Sequence, residues 1–79
     1  MELHDCLYFN TIWEARSFTK AAEILHVSQP ALSQSIKKLE RELGFLLFKR
    51  GKNLELTEMG TILYSYSKEL LRVKDRLNE

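Results

Sequence analysis

Residues 17–44 read SFTKAAEILHVSQPALSQSIKKLERELG, and the fold turns on how this stretch breaks in the middle. In its second half Leu32, Ile36, Leu39 and Leu43 recur at i, i+4, i+7 and i+11, a single apolar stripe on a helix. Ser28 is a natural N-cap for that helix. Pro30 is tolerated in a first turn whose amides have no helical partner, and Gly44 ends the helix as a left-handed cap. The first half, Phe18 to Leu25, reads as a shorter helix capped by Ser17. Its Ala21 and Ala22 are small enough to admit a second helix at close range, and Ile24 and Leu25 are expected on the core side. Only His26-Val27-Ser28 separates the two, which leaves room for a tight turn and nothing more. Two helices joined in this way predict a helix-turn-helix.

Upstream, Leu3, Cys6, Phe9 and Ile12/Trp13 give residues 3–14 the three-to-four spacing of an amphipathic helix. Downstream, two apolar runs, 45–48 and 54–56, flank Lys49-Arg50-Gly51-Lys52-Asn53, the pattern of a short β-hairpin with a basic tip. Thr57 then caps a last helix, with Glu58 well placed for its N-terminal dipole. Along it Leu63, Tyr66, Leu70, Val73 and Leu77 alternate spacings of three and four, a seam suited to pairing with a second copy. The fold class is therefore mainly α: a winged helix-turn-helix, with a three-helix core plus a short two-stranded wing, over 1–57. A linker and dimerisation helix follows over 58–79.

A chain of 79 residues supports one small domain, whose core at this size often gains stability from a partner. With 44% hydrophobic and 29% charged residues the composition is globular, not disordered. No uncharged run is long enough for a bilayer, and MELHDC lacks the basic-then-apolar order of a signal peptide, so no membrane is expected. A lone Cys6 cannot form an internal disulfide and fits a reducing cytoplasm, where it is expected as a buried thiol. His4 and His26 stand apart from any ligand-spaced partner, so no metal site is expected. Neither a phosphate-cradling glycine loop nor a nucleophile with an evident base occurs, so the domain is read as non-enzymatic and free of cofactor.

Net charge is only +1, but it is unevenly distributed. Between Arg16 and Lys52 stand eight Lys and Arg against three Glu, while the flanks carry four against eight Asp and Glu. A basic middle between acidic flanks is the footprint of a one-faced phosphate binder, though scattered solvated charge also gives such counts. The helix opening at Ser28 sharpens the choice. Its exposed first turns, Gln29, Pro30, Ala31, Ser33 and Gln34, are short and polar or small, as base edges in a major groove require. Gln bonds an adenine edge bidentately, Ser donates or accepts, and Ala meets a thymine methyl. Lys37, a turn further on, is placed for phosphate or guanine. Arg50 and Lys52 at the wing suit a minor groove or phosphates; the alternative is lysine protecting exposed strand edges. Ser17, Thr19 and Lys20 open the second helix, whose free amides bind phosphate oxygens; Ser17 also has a purely capping role open to it.

The combined run resembles one family. Residues 17–25, then Val27-Ser28-Gln29-Pro30-Ala31-Leu32-Ser33, then Ile36, Leu39-Glu40, Leu43-Gly44, Leu47-Phe48, Arg50 and Leu56-Thr57 with Gly60, look like the N-terminal DNA-binding domain of LysR-type transcriptional regulators. The resemblance covers essentially the whole chain. It implies a cytoplasmic bacterial regulator that binds promoter DNA as a homodimer through the last helix and is usually a tetramer at full length. A C-terminal effector domain sensing a small metabolite would be absent from these residues, the chain ending inside the linker helix. Base and phosphate contacts would fall on Gln29, Pro30, Ala31, Ser33, Gln34 and the wing tip, with Ser28 at the backbone. Two departures stand out: many members carry Arg where this chain has Gln34, and Arg near the wing tip where Lys52-Asn53 stands.

Two other readings stay open on sequence. In one, the last helix is a protein-interaction surface and the helix-turn-helix only its scaffold. In the other, the chain is a regulatory piece of a nucleic-acid enzyme, for which no residue speaks.

Overall fold

A computed structural model describes all of residues 1–79. Four helices follow one another: α1 (Leu3–Ala15), α2 (Phe18–Leu25), α3 (Gln29–Leu43) and α4 (Glu58–Leu77). Each boundary has a local cause. Ser17, Ser28 and Thr57 accept from the amides of Lys20, Ala31 and Gly60, as N-caps do. Arg16, His26 and Gly44 end the first three helices in the left-handed conformation. For Arg16 and His26 that conformation carries the usual penalty of a side chain at positive φ, offset by the tight turns it permits.

The core gathers one face from every element. Phe9 and Ile12 of α1, Ala21 and Ala22 of α2, Leu32, Ile36 and Leu39 of α3, Leu47, Phe48 and Leu63 are buried together. Phe48 sits between Phe9 and Phe18, with ring centroids 5.3 and 5.6 Å away, so the wing segment is clamped onto α1 and α2. Because Leu32, Ile36 and Leu39 all turn inward, the other side of α3 is left to solvent.

The short wing is present in minimal form, and two expectations, for Ile24 and Leu63, need correction. The hairpin is a single antiparallel bridge, Phe48 to Leu56, closed by hydrogen bonds from the Lys49 amide to the Glu55 carbonyl at 2.8 Å and from the Thr57 amide to the Leu47 carbonyl at 2.9 Å. Its arms are too short for a ladder, because Leu47 and Phe48 are drawn into the core and Thr57 already starts α4. Ile24 is not a core residue: it is 61% exposed, and Leu25 alone of the pair packs inward. Leu63, expected in the dimer seam, is only 9% exposed and belongs to the protomer's own core. The exposed apolar stripe of α4 runs instead through Met59, Ile62, Tyr66, Leu70, Val73 and Leu77. Helix α4 starts against the head, so its inner face there is taken by intramolecular packing.

Candidate nucleic-acid interface

Helix α3 presents the candidate site as a continuous exposed face. Gln29, Pro30, Ala31 and Gln34 are exposed and Ser33 is half-buried, while Lys37, Lys38 and Arg41 continue the same surface toward the C-terminus. The amide nitrogen of Gln29 donates to Ser33 Oγ at 2.8 Å. That bond uses one of the two hydrogens on Nε2 and leaves the second hydrogen and Oε1 unengaged. Gln29 is thus tethered to Ser33 on the exposed face of α3.

Between α3 and the segment that follows it lies an open cleft of about 800 Å³. Ser33, Lys37, Arg41 and Arg50 supply its polar wall, and Phe45 and Phe48 contribute to its apolar side. Phe18, the first residue of α2, reaches the same cleft, so the α2 N-terminus borders it. There Ser17 Oγ accepts from the Lys20 amide at 3.1 Å, Thr19 and Lys20 are exposed, and the amides of Phe18 and Thr19 lie in the unpaired first turn. A shallower hollow of about 470 Å³ on the outer side is lined by Ala31, Gln34, Ser35, Lys37, Lys38 and Arg41.

The geometry brings Ser33, Lys37 and Arg50 around one cleft and puts Gln34 on the adjoining face. Lys52 and Asn53 are exposed at the wing tip, outside the cleft. Lys38 and Arg41 were overlooked in the sequence. They follow Gln34 by four and seven residues and so share its face, a spacing that was there to be read.

Electrostatics reinforces the face. The only ion pair of Lys or Arg with a carboxylate is Arg72 with Glu69, and His4 lies near Glu2 and Asp5 at the other end of the chain. None of the eight cations between Arg16 and Lys52 is neutralised by a carboxylate. Glu40, the one acid in the cleft wall, is otherwise engaged: its carboxylate accepts from the Leu47 amide at 2.7 Å and the Phe48 amide at 3.4 Å. It anchors the wing base and forms no salt bridge with Lys37 or Arg41.

Comparison with known proteins adds independent findings. The family described as "Bacterial regulatory helix-turn-helix protein, lysR family" matches residues 3–61. The HTH-type transcriptional regulator YtlI of Bacillus subtilis is 51% identical over 71 residues, which is 90% of this chain and 23% of that protein. CatR of Pseudomonas putida is 44% identical over 75 residues, 95% of this chain and 26% of that one. The chain thus spans about a quarter of the length of these curated relatives. Among solved structures, the BenM DNA-binding domain in complex with catB site 1 DNA superposes with a TM-score of 0.93 at 42% identity, covering 98% of this chain and 84% of that one. The CbnR DNA-binding domain–DNA complex gives 0.89 at 33% identity, covering 99% and 91%.

Proposed function

Because the chain belongs to the lysR family of bacterial regulatory helix-turn-helix proteins, we propose that it is the sequence-specific, double-stranded-DNA-binding domain of a transcriptional regulator. The observation that carries the reading is the exposed polar face of α3, on which Gln29 is hydrogen-bonded to Ser33. In this reading α3 enters the major groove, and Gln29, Pro30, Ala31, Ser33 and Gln34 meet base edges. Lys37, Arg41 and Arg50 track phosphates along the cleft and Lys38 does so on the outer side, Ser17, Ser28, Thr19 and Lys20 hold a neighbouring phosphate, and Lys52 reaches the minor groove or backbone. Residues 1–57 form the reading head.

Residues 58–79 join two copies through the stripe of Tyr66, Leu70, Val73 and Leu77, extended by Met59 and Ile62. The dimer reads two-fold-related half-sites about 34 Å apart, one helical turn. The domain carries out no catalysis and takes no cofactor; a small-metabolite effector, and assembly into tetramers, belong to the longer protein. No helix is long and apolar enough to cross a membrane, and the cytoplasm is the proposed location.

Selection of bound sequences from a random duplex pool tests the reading, followed by titration of the selected duplex at two salt concentrations. A two-fold-symmetric site and affinity falling with salt are expected, since bound cations displace counterions. Gln29→Ala should cost on the order of 1–3 kcal/mol on the selected site and little on random DNA, whereas Lys52→Ala should weaken both alike. Equal losses for Gln29→Ala on both duplexes would remove its base-reading role.

A further inference from the structure

Helix α4 is fastened to the reading head by more than apolar packing. Asn10 is buried in α1. With its amide oriented to satisfy both polar atoms, Nδ2 donates to the Cys6 carbonyl and Oδ1 accepts from the backbone amide of Lys68 in α4, each at 3.3 Å. One turn further along α1, the Glu14 carboxylate accepts from the Tyr64 hydroxyl at 2.9 Å. Four residues forward on α1 thus answers to four residues back on α4, the register of an antiparallel pair. Ser67, fully buried beside Lys68, keeps the surface of α4 small at this crossing.

Apolar contacts between helices tolerate sliding and tilting. A buried amide with a partner on each helix does not, because any shift leaves a polar group unpaired in a place water cannot reach. Beyond these contacts Leu71 still packs half-buried, while Leu70, Val73 and Leu77 are exposed. Nine residues separate Lys68 from Leu77, about 14 Å of helix at 1.5 Å per residue. A tilt of roughly 10° about the crossing therefore moves the far end by about 2 Å, and a two-fold pair feels it twice. The sum is comparable with the roughly 3.4 Å occupied by one base pair.

We infer that Asn10 and the Tyr64–Glu14 pair are positioning residues that lock α4 to the head in one register, and thereby set which half-site spacing the dimer accepts. This rests on the DNA-binding reading above. No base or phosphate need touch them. They act through α4, so their loss relaxes spacing preference without lowering the affinity of one head for one half-site.

The test uses Asn10→Leu, Tyr64→Phe and the two combined. The probes are the duplex selected by the unmodified chain, versions with its half-sites moved one base pair closer or further, and a duplex with a single half-site. The unmodified chain should disfavour mis-spaced duplexes by on the order of tenfold, because a rigid dimer must deform them. In the combined variant that discrimination should fall to about threefold or less, with single-half-site affinity within about twofold. A second readout needs no DNA: spin labels at Glu42 of α3 and Arg76 of α4, in a Cys6→Ala background, should give a narrow distance distribution that the combined variant broadens. Folded variants with unchanged spacing preference and unchanged distances overturn the inference. Should Asn10→Leu not fold, Tyr64→Phe decides alone, and no change in either readout overturns it. If the unmodified chain selects no sequence, the proposed function fails, and the distance measurement still decides whether these residues set the register.

Discussion

Replacing Glu40 should loosen the wing from a position on the recognition helix. Glu40 is half-buried, and its carboxylate is the acceptor for the Leu47 amide at 2.7 Å and the Phe48 amide at 3.4 Å. The short bond to Leu47 is charge-assisted; the longer one is marginal in geometry and counts for little. Glu40→Ala leaves the Leu47 amide without an acceptor next to a fully buried side chain, a loss of about 1.5–3 kcal/mol for a hydrogen bond to a charged group. Partial solvent access to the carboxylate pulls the expected value toward the lower end, about 2 kcal/mol. For a domain of this size each kcal/mol moves the melting point by about 4–8 °C, so a drop of about 8–16 °C is expected. Glu40→Gln keeps an acceptor and loses the charge, so roughly half that loss is expected. Thermal denaturation gives the global number, and amide hydrogen exchange at Leu47 gives the local one. Exchange there should accelerate in Glu40→Ala more than at Leu32, which lies in α3 away from the wing. A Glu40→Ala protein melting within about 2 °C of the parent, with Leu47 still protected, would show that packing of Phe48 alone holds the wing.

Gly60→Ala should destabilise the fold by about 1–3 kcal/mol, against the gain of about 1 kcal/mol that alanine usually brings to a helix. A Cβ there would stand 2.2 Å from the Leu47 carbonyl oxygen, which also accepts from the Thr57 amide at 2.9 Å; a raised melting point would refute the clash. Leu63→Ala should cost about 2–3 kcal/mol of stability and leave association intact, while Leu70→Glu should do the reverse. Sedimentation velocity alongside thermal melts separates the two, and an unmodified chain that never dimerises would count against the α4 stripe. The Tyr64 pKa is raised above the usual 10.0 by the hydrogen bond to Glu14, then by burial and the Glu14 charge, with Arg16 opposing. The sign follows: the contact contributes fully below the unfolded value and is lost as pH rises through the folded one. Alkaline melts should therefore converge for the parent and Tyr64→Phe, with no divergence arising between pH 5 and 9. Glu14→Gln should bring the phenolate absorbance titration back toward the ordinary range.

Much of this architecture is written in local pattern. Ser17, Ser28, Thr57 and Gly44 mark helix ends because capping is a matter of one residue and its neighbours within four. The stripe Leu32–Ile36–Leu39 fixes which way α3 faces for the same reason, and with it the exposure of Gln29 and Gln34. What the sequence conceals are contacts between residues far apart along the chain. Glu40 holding the Leu47 amide, Gly60 against the Leu47 carbonyl and Asn10 against Lys68 follow no period, so no spacing rule could propose them. Leu63 shows the opposite hazard. It obeys the heptad spacing of α4, yet the first two turns of that helix lie on the head, and an apolar residue that can be buried at once within its own chain is buried there.

The same contacts explain why so small a core can carry a reading surface that contributes nothing to it. Helix α3 spends one face on the core and leaves the other polar, with none of its cations in a salt bridge. Such a face repels itself and should weaken the fold. The cost is offset where the chain needs no exposed polar groups: Glu40 turns its charge to the wing base, Thr57 stitches α4 to the Leu46 carbonyl at 2.6 Å, and Asn10 ties α1 to α4. Glu40 is the hinge of this division, since it stands on the reading helix among Lys37 and Arg41 with its carboxylate turned to the Leu47 amide and no salt bridge to either cation. If its carboxylate were released, it would compete with phosphate for the cations beside it. The anchoring of the wing and the charge of the cleft therefore meet at one side chain, and Glu40→Gln separates them: it keeps an acceptor for the Leu47 amide and removes a negative charge beside Lys37 and Arg41.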